Sequence, residues 1–97
     1  MAYEDGETYP LTYAGVREKA PNVSGVYTIY TSTRWVCVGE SDDIRQSLFR
    51  HLNEPNGCMN RFSPLSFSFG LVLAAERVAR QQGLIAELKP ACNPNKG

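Results

Sequence analysis

Side chains that could bind a phosphate group are concentrated in the middle third of the chain. The cationic and imidazole residues of this region are Arg34, Arg45, Arg50, His51 and Arg61. Guanidinium groups form paired hydrogen bonds with phosphate oxygens, and an imidazole can carry a proton near neutral pH. Carboxylates are interleaved with these residues at Glu40, Asp42, Asp43 and Glu54. Because they offset much of the positive field, the pattern favours a solvated surface of mixed charge over a phosphate-binding patch.

The cysteines are the other side chains with chemical potential. The chain has three, Cys37, Cys58 and Cys92. They cannot all pair and none lies in a C-x-x-C arrangement, so neither a disulfide framework nor a redox motif is indicated. Together with His51 they have the residue types of a zinc site, but their spacings match no common one. We expect structural cysteines with reduced thiols.

The composition is that of one ordinary globular domain. The 97 residues are 42% hydrophobic and 21% charged, and ten basic residues balance ten acidic ones. A sequence pI near 6.6 lacks the electrostatic signature of strong nucleic-acid binding. No window approaches the roughly 20 apolar residues of a membrane span, and no basic stretch leads into an apolar run at the start. We therefore expect a cytoplasmic, single domain over residues 1–97, with an extension at 1–20 and a core at about 21–94.

A β-hairpin is predicted in the first half of the core. Residues 26–30 and 34–38 are two runs rich in β-branched and aromatic side chains, separated by the small polar residues 31–33. If those three residues are the loop, Tyr27 lies opposite Cys37, and Ile29 and Trp35 share a face.

A helix, a strand and a second helix are predicted to follow. Ser41 is a plausible N-cap for a helix with Ile44, Leu48 and Leu52 at helical spacing, which should end before Pro55. Strict alternation over residues 65–71 predicts a strand, and residues 74–88 read as a helix with Ala75, Val78, Gln82 and Ile85 on one stripe. The expected fold is α+β, with a small three-stranded, mainly antiparallel sheet flanked by helices in the order β-β-α-β-α. A short helix before residue 20 is a further expectation.

Two tripeptides and the end of the chain together resemble the GIY-YIG nuclease superfamily. The residues that carry the resemblance are Pro21, Gly25-Val26-Tyr27, Cys37-Val38-Gly39, Leu84-Ile85 and Pro90-Ala91-Cys92-Asn93. The likeness covers about residues 21 to 94. Either tripeptide alone is a weak signal, whereas the distributed match is specific.

The resemblance implies a phosphodiesterase site of which this chain keeps only part. Members cleave DNA with one divalent metal, using a Tyr from each tripeptide, a helix Arg, a metal-binding Glu and a late Asn. Tyr27 and Asn93 match the first Tyr and the Asn. Cys37, Ser47 and Gln81 stand where the second Tyr, the Arg and the Glu are expected. A neutral amide such as that of Gln81 holds a hard cation far more weakly than a carboxylate does.

Three functional hypotheses follow. The leading one is a depleted site that serves as a non-hydrolytic binding module for nucleic acid or for a protein partner, with no cofactor. The alternative is a DNA endonuclease, dependent on Mg²⁺ or Mn²⁺, in which displaced residues act: Arg50 and His51 lie three and four residues after Ser47 and share its helix face. Its catalytic set would be Tyr27, Arg50, His51 and Asn93. The third is a purely protein-interacting accessory domain, which the neutral charge would suit.

Each retained residue also has a purely structural interpretation. Tyr27 could be a strand aromatic that packs on Trp35, and Asn93 could satisfy backbone groups in the turn after Pro90. Arg50 and His51 could be solvated helix residues.

Overall fold

The hairpin and one later strand form the centre of the structure. The computed structural model describes residues 7–54 and 57–93. The elements in chain order are β1 (Tyr9–Pro10), α1 (Tyr13–Lys19), β2 (Gly25–Tyr30), β3 (Trp35–Ser41), α2 (Ile44–Asn53), β4 (Ser66–Leu71) and α3 (Arg77–Leu88). Short 3₁₀ turns at Met59–Arg61 and Ala74–Glu76 precede β4 and α3. The predicted β-β-α-β-α order is confirmed as β2 to α3.

The sheet is antiparallel throughout, with the strand order β1-β4-β2-β3. The prediction of three strands misses β1, in which Tyr9 pairs with Phe67 and Pro10 with Ser66. The segment predicted as an extension therefore contributes to the fold, and Leu11 and Val16 are buried in the core. Residues 1–6, 55–56 and 94–97 of the predicted domain lie outside the described residues.

Helices cover both faces of the sheet. One core cluster joins α1 and α2 to the face that carries Tyr27, Ile29 and Phe67. The other joins α3, through Leu84, to Val26 and Val38 on the opposite face. Because both faces are covered, every residue of β2 is buried. The α+β class with a helix-flanked antiparallel sheet is thus confirmed. Among the described residues, no helix is long and apolar enough to cross a bilayer.

The hairpin register differs from the prediction. Tyr27 pairs with Gly39, and Cys37 pairs with Ile29. The loop is closed by a hydrogen bond from the Thr31 amide to the Arg34 carbonyl. The pairing also shifts between Ile29 and Tyr30, which leaves one extra residue, Val36, on the β3 side. A loop without glycine gave no signal for this irregularity.

Both longer helices begin later than predicted. Asp43, not Ser41, caps α2, because its carboxylate accepts the Gln46 amide hydrogen at 3.1 Å. Ser41 is the last residue of β3, and its hydroxyl accepts the Asp43 amide hydrogen.

The stripe predicted for residues 74–88 is mostly exposed. Regular α-helix starts at Arg77, and Val78, a member of that stripe, is 59% exposed. Leu84 is the buried residue instead. The helix ends where Lys89 adopts a left-handed conformation, immediately before Pro90.

Candidate functional site

A cavity of about 300 Å³ opens where α2 crosses β2 and β3. The residues that line it are Tyr27, Glu40, Ser47, Arg50, His51 and Glu54. Three of the four predicted site residues, Tyr27, Arg50 and His51, are therefore brought together. Ser47, which stands at the position of the expected Arg, faces the same space, so the helical spacing argument placed these side chains on the correct side of α2.

Tyr27 and His51 are hydrogen-bonded to each other in this cavity. The Tyr27 hydroxyl lies 2.9 Å from His51 Nε2, and the two rings meet edge to face with centroids 5.6 Å apart. Gly39 makes this position possible, because a Cβ built there would lie only 2.2 Å from Cζ of Tyr27. The structural interpretation of Tyr27 as a partner of Trp35 does not hold, since Trp35 packs on Tyr30 instead.

Burial keeps both members of the pair uncharged near neutral pH. Burial, reinforced by Cys37, raises the pKa of Tyr27 well above its ordinary value. Burial also lowers the pKa of His51, and the nearby Arg50 guanidinium lowers it further. A neutral imidazole with its hydrogen on Nδ1 accepts the phenol proton at Nε2, whereas the other tautomer donates to the phenol oxygen. Only the first arrangement allows the phenol proton to pass to the imidazole, and burial disfavours the charged pair that this transfer would form.

The cavity has both signs of charge. Arg50 is exposed at its rim, and Glu54 lies on the same rim. Glu40 is paired with Arg77 of α3, with Nε and Oε1 2.8 Å apart, and Arg77 also donates to the Ser24 hydroxyl at 3.1 Å. No sequence motif contains Arg77, so sequence reasoning did not single it out. Glu40 could have been identified from its position directly after Gly39, the last residue of the second tripeptide.

Asn93 and Gln81 both hydrogen-bond to the Val38 carbonyl of β3. The Asn93 side chain hydrogen-bonds both to the Val38 amide and, at 2.8 Å, to the Val38 carbonyl. The Gln81 side-chain amide donates to the same carbonyl at 3.2 Å. Two of the residues identified from the resemblance, Gln81 and Asn93, thus lie against β3 at Val38. Asn93 is not among the residues that line the cavity, and its contacts match those of a side chain that satisfies backbone groups.

The side chains at this site do not fit a hard divalent cation. Among residues 7–54 and 57–93, no group of three or more carboxylate, imidazole or thiol side chains could hold a metal ion. The Gln81 amide directs a donor, not an anionic oxygen, at β3. Glu40, one of the two carboxylates that line the cavity, is already paired with Arg77. Mg²⁺ prefers carboxylate oxygens in near-ideal octahedral geometry, which this set does not supply.

The expectation of reduced thiols is wrong for two of the cysteines. Cys58 and Cys92 form a disulfide bond. Cys37 is free and half-buried in β3, and burial raises the pKa of its thiol to about 11. A zinc site built from all three cysteines is therefore excluded. The spacing of the cysteines carried no signal for the pairing, because the partners are brought together only by the fold.

Solved structures of one nuclease domain share this fold. The GIY-YIG N-terminal endonuclease domain of UvrC from Thermotoga maritima, bound to magnesium as its catalytic divalent cation, matches with a TM-score of 0.65 at 21% identity, over 80% of this chain and 94% of that one. A tyrosine-to-phenylalanine point mutant of that domain gives the same values. An asparagine-to-alanine point mutant has a TM-score of 0.62 at 19% identity, over 78% and 91% of the two chains.

These likenesses confirm the predicted resemblance at the level of the fold. The chain has the GIY-YIG nuclease-domain fold. No protein-family profile matches the sequence, and neither does any curated protein.

Proposed function

We propose that this chain of GIY-YIG fold binds the phosphate backbone of nucleic acid in the Tyr27–His51 cavity without hydrolysing it. One observation carries the proposal: the side chain at position 81 is a neutral amide whose donor is bonded to the Val38 carbonyl. The fold is retained around a site that lacks the carboxylate on which metal-dependent hydrolysis depends.

The loss of hydrolysis follows from the charges that the reaction needs. Phosphodiester cleavage builds up negative charge in the transition state, which a metal ion and a cationic side chain must stabilise. Gln81 supplies no anionic ligand for the metal ion. Ser47 is neutral and cannot act as the cationic side chain. Its hydroxyl donates to Ser41 Oγ at 2.6 Å. A bound phosphate would therefore meet hydrogen-bond donors but no group that favours the transition state over the ground state.

Binding is supported by the donors that remain. The Tyr27 hydroxyl, the His51 ring and the Arg50 guanidinium all line the cavity, and each can donate to a phosphate oxygen. The Glu40 carboxylate would repel an anion if it were alone, but Arg77 neutralises it. Arg50 is thus the cation lining the cavity that has no carboxylate partner among the described ion pairs.

This arrangement sets the expected strength and salt dependence of binding. Glu54 shares the rim with Arg50, and the whole chain has no net charge. Affinity should therefore be weak. The slope of log K against log salt should be small, about −1, because about one phosphate is neutralised by one guanidinium.

The test is fluorescence anisotropy with single-stranded, duplex and branched DNA from about 20 to about 200 mM salt. We expect saturable binding at low salt that Arg50→Gln weakens strongly. Arg17→Gln is the matched control, since Arg17 is exposed on α1 away from the cavity lining. If no DNA is retained even at the lowest salt, the proposal fails and a protein-binding module takes its place.

A second candidate function is favoured by the bonded pair itself. In a metal-dependent endonuclease with displaced residues, His51 would accept a proton from water through Tyr27, and Arg50 would hold the phosphate. The 2.9 Å contact between the Tyr27 hydroxyl and His51 Nε2 is the observation in its favour. Nicking of supercoiled DNA in Mg²⁺ or Mn²⁺, abolished by Tyr27→Phe and by His51→Ala, would establish this function and overturn the first.

A further inference from the structure

We propose that the Cys58–Cys92 disulfide is a redox switch that controls whether the tail segment, residues 91–93, stays docked along the edge of β3. Opening of this bond by a dithiol reductant would release the segment, and with it Asn93, from the sheet.

The tail segment occupies the open edge of the sheet. β3 is the last strand in the order β1-β4-β2-β3, so within residues 7–54 and 57–93 one side of its backbone has no strand partner. The Ala91 amide donates to the Trp35 carbonyl at 3.0 Å, and the Cys92 amide donates to the Val36 carbonyl at 2.9 Å. The Asn93 side chain then bonds both backbone groups of Val38. The tail segment therefore continues the pairing of the sheet.

The disulfide ties this edge to the core on the other side of the site. Cys58 immediately precedes the 3₁₀ turn Met59–Arg61, and Met59 is only 3% exposed in the core cluster that also contains Leu48 of α2. The covalent bond from Cys58 to Cys92 spans a sequence separation of 34 residues. The disulfide therefore links two segments that are distant in the sequence and that no short stretch of chain connects.

The hydrogen bonds alone are a weak anchor. Pairing over so few residues at a sheet edge is marginal in water, and short terminal segments open with low free energies. The disulfide changes this balance because it confines residue 92 close to its docked position even when the hydrogen bonds break. Without the bond, docking must offset the conformational entropy of the whole tail segment.

The chemistry of the switch is a two-electron thiol–disulfide exchange. A thiolate of the reductant attacks one sulfur of the Cys58–Cys92 bond, and the resulting mixed disulfide is resolved by the reductant's second thiol. The protein gains two S–H groups, and the reductant leaves as its own disulfide. Both protein sulfurs belong to half-buried residues and are thus partly accessible. Cys37 takes no part, because its buried thiol supplies little thiolate near neutral pH.

The consequence for the site rests on the proposed function. Release of Asn93 would leave the Val38 carbonyl to Gln81 alone and would expose the β3 backbone beside Gly39 and Glu40. We expect DNA affinity to differ between the oxidised and the reduced protein. Docking of the tail segment itself does not depend on DNA, so it is tested separately.

The test is amide hydrogen exchange on the full chain, oxidised and after treatment with dithiothreitol. We expect exchange at the Val38, Ala91 and Cys92 amides to accelerate about tenfold or more on reduction, while the central strand β2 keeps its protection. Alkylation in denaturant should label one thiol in protein kept from reductant and three in reduced protein, given the three cysteines of the chain.

Matched variants separate the switch from a general loss of stability. Cys37→Ser should respond to reductant as the wild type does. Cys58→Ser/Cys92→Ser should show fast exchange at the same three amides without reductant, and it should not respond further. Three labelled thiols in protein kept from reductant would overturn the proposal. So would equal exchange at these amides in the oxidised and reduced wild type, a comparison that remains available if the double variant does not fold.

Discussion

Tyr27 lies directly opposite Gly39 in the hairpin, and its phenol occupies the space that a side chain at position 39 would fill. A Cβ on Gly39 would lie 2.2 Å from Cζ of Tyr27 and 2.3 Å from its hydroxyl oxygen. The same phenol is bonded to His51. The missing side chain at position 39 therefore fixes the position of the ring that connects the sheet to α2.

Gly39→Ala should displace the Tyr27 ring and break its bond to His51. Overpacking of a buried site by one methyl group typically costs about 1–3 kcal/mol. We expect a loss of that size in the free energy of unfolding, measured by denaturant titration, together with a rise of the His51 pKa toward its ordinary value as burial is lost. Unchanged stability with an unchanged His51 titration would show that Tyr27 does not depend on the space at position 39.

Gly83→Ala is the matched control for that variant and should have the opposite effect. Gly83 lies inside α3, is exposed, and a Cβ built there meets nothing within 4 Å. Replacement of a helix-interior glycine by alanine restricts the unfolded chain and should add about 0.5–1 kcal/mol. Thermal unfolding should show a melting temperature higher by about 3–6 °C. A lower melting temperature would mean that α3 is not regular at this position.

The sequence predicted the elements of the fold better than their faces. Residues 65–71 alternate between apolar side chains and serine or glycine, which predicted a strand, and the structure has β4 at Ser66–Leu71. Ser68 is nevertheless fully buried, hydrogen-bonded to Thr28 at 3.0 Å. A small hydroxyl pair satisfied within the sheet can lie beneath a helix, so polar alternation did not identify a solvated face.

Helical periodicity and motif position predicted the part of the candidate site that lies on α2 and the hairpin. The spacing of Ser47, Arg50 and His51 placed them together because helix geometry is local. The pairing of Glu40 with Arg77 joins residues 37 positions apart, and the Cys58–Cys92 bond joins residues 34 apart. Such contacts depend on how α3 and the tail segment pack on β3, which no local pattern specifies.

His51 should make the stability of the protein fall as the pH drops below the ordinary pKa of histidine, about 6.5. Burial lowers the pKa of His51 below its ordinary 6.5. As pH falls through that value, the unfolded chain takes up a proton that the folded chain does not, so the free energy of unfolding falls until the folded pKa is reached. His51 is the chain's one histidine. Denaturant titrations at several pH values should therefore show a slope that is largely removed in His51→Gln. The same slope in both proteins would contradict the prediction.

The Glu40–Arg77 pair should contribute a measurable coupling energy. Their side chains are only 28% and 20% exposed, and Arg77 is also held by Ser24. A double-mutant cycle with Glu40→Gln, Arg77→Gln and the double variant should give a coupling of about 0.5–1 kcal/mol that decreases with added salt. We further expect Arg77→Gln to weaken DNA binding by leaving Glu40 unneutralised, and Glu40→Gln in the same chain to restore it. A coupling near zero would mean that the contact has no energetic role.

Ser47→Arg with Gln81→Glu should supply the two charges that metal-dependent phosphodiester hydrolysis requires. Alone, Gln81→Glu replaces the donor to the Val38 carbonyl with an anionic oxygen, which should cost about 1–3 kcal/mol at neutral pH. Mg²⁺ should recover part of that loss, because a cation bound only to the folded state stabilises it. The double variant should therefore show a melting temperature that rises with Mg²⁺, and nicking of supercoiled DNA in the same conditions.

The adjacent residues provide the control for this double variant. Gln46→Arg with Gln82→Glu makes the same change in charge at exposed neighbouring positions of α2 and α3. It should respond to Mg²⁺ no more than the wild type does. An equal Mg²⁺ response in both double variants would mean that positions 47 and 81 do not face a common site. A response confined to Ser47→Arg/Gln81→Glu would support the proposal that the neutral side chains at positions 47 and 81 prevent hydrolysis.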